Sequence, residues 1–88
     1  MVGGPGTKNG AELTVIPNPN NGRFTMKLTS DINEPVHVVI TNLTGQKVKE
    51  FNATTNTETE VEMSQAAGIY LLSAITSGGI LVLKVIIN

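Results

Sequence analysis

Twenty-eight of the 88 residues carry a branch at Cβ: nine Val, eight Ile and eleven Thr. A second heavy atom on Cβ stiffens the side chain against the preceding turn of a helix, yet packs well on a pleated surface. Strong helix formers nowhere recur at three- and four-residue spacing over a full helix length, so the chain reads as all-β. Size sets the scale of the core. A chain of 88 residues fits one small domain that buries little more than roughly 60% of its unfolded surface, leaving no room for a deep catalytic cavity.

Charge and special residues remove whole classes. Six Lys+Arg against seven Asp+Glu give a net charge of −1, whereas phosphate neutralisation needs a basic surface, so nucleic acid is not an expected partner. With no Cys there is no disulfide framework, zinc ribbon or thiol nucleophile. The apolar run 80–83 stops at Lys84, against the roughly 20 residues of a spanning helix, so no membrane span is expected. The opening Met1-Val2-Gly3-Gly4-Pro5-Gly6 lacks the basic and apolar regions of a secretory leader. Residues 1–11, with four Gly and one Pro, read as a flexible linker or an added tail, and residues 12–88 as the folded domain.

From Glu12 the apolar period becomes two, the mark of a strand with one buried face. Leu13 to Ile16 form a first strand, stopped by Pro17-Asn18-Pro19-Asn20-Asn21-Gly22, where the prolines remove backbone donors and Asn-Gly supplies left-handed conformations. Phe24, Met26 and Leu28 alternate with Arg23, Thr25 and Lys27 in a second strand. Val36, Val38 and Ile40 mark a third. Asn42-Leu43-Thr44-Gly45 then turns the chain into a return strand, in which Val48 and Phe51 lie three apart and require a bulge or a strong twist near Lys49-Glu50 to share a face. Thr57, Thr59, Val61 and Met63 alternate with Glu58, Glu60 and Glu62, whose face must be wet. The last two runs, 69–76 and 80–87, are apolar at nearly every position and are expected in the middle of a sheet or covered on both faces. Seven strands separated by turn signals describe a two-sheet antiparallel sandwich.

No catalytic or metal-binding set emerges. His37, the single imidazole, has no partner identifiable in the sequence, and one His with one Asp cannot build a nucleophilic triad, so no enzyme is expected. Glu58, Glu60 and Glu62 stand about 6.5–7 Å apart along an extended strand, too far to wrap one cation. Asp31, Asn33 and Glu34 alternate oxygen ligands but lack the glycine and distal Glu of a calcium loop. The glycine pairs precede no helix that could hold an anion. Two Asn-X-Thr triplets, at Asn42 and Asn52, matter only in a glycosylating pathway. Phe24, Phe51 and Tyr70 all suit a core, which leaves no aromatic platform for a sugar. No cofactor is implied.

Four short motifs are more specific than composition. Val15-Ile16-Pro17-Asn18-Pro19-Asn20-Asn21-Gly22-Arg23-Phe24 resembles the "yPNPxxGxf" opening of the type A C-terminal sorting domains of the type IX (Por) secretion system of Bacteroidetes. Asn42-Leu43-Thr44-Gly45-Gln46-Lys47-Val48 is similar to that family's "nxxGxxv" hairpin, Gly68-Ile69-Tyr70-Leu71-Leu72 to its "GiYxv" strand, and Lys84-Val85-Ile86 to its closing "Kvi". The resemblance implies a seven-stranded Ig-like β-sandwich at the end of a secreted cargo protein. It implies a non-catalytic label recognised in the periplasm, which guides the cargo across the outer membrane and is removed by a sortase-like surface protease. The partners implied are the translocon, that protease and an N-terminal cargo domain. The cargo's destination is the cell surface or medium.

Carried over position by position, the motif residues are Pro17, Asn18, Pro19 and Gly22, then Gly45, then Gly68 and Tyr70, and last Lys84, Val85 and Ile86. For the prolines and glycines, turn geometry is a sufficient reason and stands beside direct recognition; Tyr70 is expected in the core. Lys84 is a charge inside an apolar strand and needs water or a partner. At a sheet edge, that strand would offer open backbone groups to a translocon component or to a second copy, so recognition and self-association are both expected there. A fibronectin-like spacer or adhesion module, or a ligand-binding sandwich, would share the same fold.

Overall fold

In a computed structural model, residues 6–8 and 10–88 are described. They form eight strands: β1 (Gly6–Lys8), β2 (Ala11–Ile16), β3 (Arg23–Thr29), β4 (Pro35–Thr41), β5 (Lys47–Thr54), β6 (Thr59–Glu62), β7 (Gly68–Thr76) and β8 (Gly79–Ile87). All pairings between strands are antiparallel, in two four-stranded sheets ordered β1-β2-β3-β6 and β5-β4-β7-β8. The chain crosses between the sheets after β3, after β5 and after β6, so the two sheets close face to face as an Ig-like sandwich.

Alternation explains the core. Leu13, Val15, Phe24, Met26, Leu28 and Val61 point inward from the first sheet and meet Val36, Val38, Ile40, Leu72, Leu83 and Val85 of the second. Each such side chain contributes about 1.5–3 kcal/mol by leaving water. Tyr70 is buried as expected and donates its hydroxyl to the carbonyl of Ala66 at 2.6 Å, which satisfies the one polar atom it brings inside. Glu58, Glu60 and Glu62 are exposed, in keeping with a wet face.

Several expectations are corrected. The tail assigned to residues 1–11 contains a strand: β1 pairs with β2 through Gly6↔Leu13, Thr7↔Glu12 and Lys8↔Ala11, and Ala11 is itself buried. Residues 1–5 and 9 lie outside the described residues. The bulge falls at Val48, since Ile40 pairs with Lys49 and Thr41 with Lys47; the extra residue lets Val48 and Phe51 both pack on the core. Of the last two runs, β7 lies inside its sheet between β4 and β8, but β8 is at the edge and both are covered on one face only. Ile69, Ile75, Ile80 and Val82 are 38–52% exposed, because no third layer lies outside the second sheet. In the loop 31–34, read from sequence as a loop, the Glu34 carboxylate accepts from the Ser77 backbone N at 3.1 Å and its hydroxyl at 3.0 Å, and Asn33 Oδ1 accepts from Asn56 Nδ2 at 2.8 Å.

Candidate functional site

The loop 17–22 leaves β2 and returns as β3 after crossing the free edge of β8. Both peptide bonds preceding its prolines, at Pro17 and Pro19, are cis. Asn18 turns its amide toward β8 and acts as a short false strand: Nδ2 donates to Lys84 O at 2.8 Å, and Oδ1 accepts from Ile86 N at 2.9 Å. Asn20 continues the pairing with its backbone, donating to Ile86 O at 2.9 Å and accepting from Asn88 N at 2.8 Å. A parallel bridge to Ile87 results. Edge groups that would otherwise be open for strand addition are thereby occupied from Lys84 to Asn88. The expectation of a fully open last strand is thus corrected: β8 is an edge strand, but its C-terminal half is clasped by the chain's own loop.

Asn20 is the residue that sequence reasoning missed. It is 4% exposed, and all four of its polar groups are satisfied, the side chain donating to Pro17 O at 3.0 Å and accepting from Gly22 N at 2.8 Å. An asparagine between two recognisable motif positions carries no periodic signal, and the partners of its backbone lie 66 to 68 residues away. Gly22 follows at φ +105°, with its carbonyl accepting from Met63 N at 2.7 Å, which fastens the loop to the segment entering the β6–β7 connection.

The remaining motifs gather at the same end. Pairing of Thr41 with Leu71, and of Gly68 with Ile87, aligns the end of β4, the start of β7 and the end of β8. The hairpin 42–46 therefore lies at the same end of the sheet as Gly68 and the clasped end of β8, with β7 between it and β8. In it Asn42 Oδ1 accepts from Thr44 N, Thr44 Oγ1 and Gln46 N at 2.7–3.1 Å, while Gly45 takes φ +89°. Val85 is fully buried, opposite Tyr70, and so holds the core together. Lys84 is half-buried on the outer face opposite Leu71, with no ion-pair partner among the described residues. Pro17 and Pro19 are exposed, and Asn18 is half-buried.

His37 does have partners, contrary to the sequence expectation. On the outer face of β4, its Nε2 meets Glu50 Oε2 and its Nδ1 meets Asn52 Oδ1 at 3.0 Å, both from β5, while Lys47 Nζ donates to Glu50 Oε1 at 2.8 Å. Two acceptors favour the doubly protonated ring, so hydrogen bonds to Asn52 and then to Glu50 hold the His37 pKa above its ordinary value. Lys47 first and His37 second hold the Glu50 carboxyl below the usual range. A folded-state pKa that is raised contributes stability that is present below about 6.5 and is lost as pH rises through the folded value. Following the His37 ring protons by NMR, we expect a midpoint above about 6.5 that falls in Glu50→Gln. A wild-type midpoint at or below that value would remove this account.

A comparison with curated proteins returns no significant match. A family model described as "Secretion system C-terminal sorting domain" matches residues 14–88, nearly the whole sandwich and every motif gathered at its clasped end. The chain belongs to the C-terminal sorting domains of the type IX secretion system, non-catalytic tails that send proteins to the cell surface or extracellular space.

Proposed function

We propose that the export machinery reads this domain in its folded form, at the end of the sandwich where the four motifs meet. The observation that carries the reading is their convergence: segments near residues 18, 45, 68 and 85 are distant in sequence, yet lie at one end of the sandwich. In this reading Asn18, Gly22, Gly45, Gly68 and Tyr70 shape the end, and the exposed Pro17 and Pro19 with the half-buried Lys84 and Ile86 are what a partner touches. The cargo precedes the domain, passes through the periplasm and crosses the outer membrane. A sortase-like surface protease then cuts the domain away as the cargo is attached.

A transplant tests this. The 88-residue chain is fused behind a periplasm-targeted fluorescent protein in a Bacteroidetes host with and without a working type IX system. We expect fluorescence at the surface or in the medium in the competent strain alone, with the domain cut from the exported cargo. Retention in the periplasm of both strains, with the domain folded, would instead make it a spacer or adhesion module.

A further inference from the structure

The two outer faces of the sandwich differ in a way the fold does not require. The first sheet presents Glu12, Thr14, Thr25, Lys27, Glu60 and Glu62 to solvent, a mostly polar surface in which Ile16 is, among the described residues, the single exposed large hydrophobic. Of the seven large hydrophobics exposed among the described residues, four stand on the outer face of the second sheet: Ile69 and Ile75 on β7, and Ile80 and Val82 on β8. They are cross-strand neighbours rather than scattered, since Ile75 pairs with Ile80, and Ile69 with the half-buried Ile86. Contiguous aliphatic surface of this kind marks interaction sites on small soluble domains.

Lys84 stands within this surface, directly opposite Leu71 and between Val82 and Ile86 along β8. It is flanked by aliphatic residues, and its ammonium meets no carboxylate among the described residues. The carboxylate on this face, Glu50 at the β5 rim, is already held by His37 and Lys47. A second copy packed through this same face would therefore bring no free carboxylate of that face to Lys84. A cation set among aliphatics selects a carboxylate that is itself flanked by apolar side chains, because the pair strengthens as both groups lose water together.

We propose that the outer face of β7 and β8 is a docking surface for an acidic protein component of the export machinery, which places a carboxylate against Lys84 and aliphatic side chains against Ile75, Ile80 and Val82. The surface runs into the motif-bearing end through Ile69, Lys84 and Ile86, and the proposal rests on the reading of that end as the recognised one. The partner approaches over the sheet face and leaves the Asn18 clasp in place.

The transplant fusion is the assay, and every variant is also purified to compare melting temperatures. Lys84→Glu should cut export at least tenfold and Lys84→Met several-fold, while Lys84→Arg stays within about twofold of wild type. The double variant Ile80→Ser/Val82→Ser should also fall several-fold, and Lys27→Glu on the wet face should export normally, all with melting temperatures close to wild type. Normal export of Lys84→Glu and of the double serine variant, from a wild-type fusion that is itself exported, overturns this proposal alone. A wild-type fusion that is retained overturns the recognition reading and this proposal with it. A dimer of the purified chain that dissociates in the double variant would assign the face to a second copy. Flotation with phosphatidylglycerol vesicles that is lost in Lys84→Glu would assign it to lipid; either result also overturns the proposal.

Discussion

Gly22→Ala is expected to lower the melting temperature by about 12–24 °C. A Cβ on Gly22 would sit 2.7 Å from the carbonyl oxygen of Met63, a backbone atom that cannot swing aside as a side-chain tip could. The loop cannot retreat without giving up the 2.7 Å hydrogen bond from Met63 N to Gly22 O and the bond from Gly22 N to Asn20 Oδ1. Its φ of +105° adds strain of roughly 1–3 kcal/mol for any residue with a side chain. Strain and displacement together come to at least about 3 kcal/mol, and each kcal/mol shifts a domain of this size by roughly 4–8 °C. Gly45→Ala is the matched control. Its φ of +89° costs about 1 kcal/mol, the low end of that range, and an added Cβ would meet nothing within 4 Å, so a drop of only about 4–8 °C is expected. Equal shifts in the two variants would show that the close approach to Met63 does not matter.

That contrast also marks what the sequence makes legible. Both glycines are readable as turn residues, yet the difference between them depends on Met63, which no local pattern connects to Gly22. Strands such as β3 are plain because Phe24, Met26 and Leu28 must share one side of a pleat. The bulge in β5 is detectable as a phase error but is placed one residue late, since the pattern records that Val48 and Phe51 share a face and not which residue is extra. β1 leaves no trace, being three residues held by backbone pairing in a segment with no apolar alternation. The apolar runs of β7 and β8 are read as central in a sheet or covered on both faces because periodicity registers hydrophobicity and not the presence of a second layer. Asn18 is visible as a motif residue, but its role is not. A side-chain amide that completes a strand edge 66 residues away has no signature until the loop and β8 lie side by side.

Removing residues 84–88 is expected to unfold the domain rather than trim a peripheral tag. Val85 is fully buried and Ile87 is 4% exposed, and losing aliphatic side chains at such positions costs roughly 2–5 kcal/mol apiece. The truncation also deletes the partners of the clasp: Lys84 O and Ile86 N for Asn18, and Ile86 O and Asn88 N for Asn20. Hydrogen bonds of this kind contribute about 1 kcal/mol each, and the backbone groups of buried Asn20 would be left without partners at about 1–3 kcal/mol each. These losses add up to about 10 kcal/mol, while a domain of this length has a net stability of about 4–13 kcal/mol. The truncated chain should therefore show no cooperative thermal transition and a far-ultraviolet spectrum depleted of sheet. Any loss of export it shows then reports the missing fold, whereas Lys84→Glu reverses a surface charge and leaves every core and clasp contact in place. A truncated domain that still melts cooperatively near the wild-type temperature would mean that the last strand is not structural, and that its end is free to act as a contact peptide.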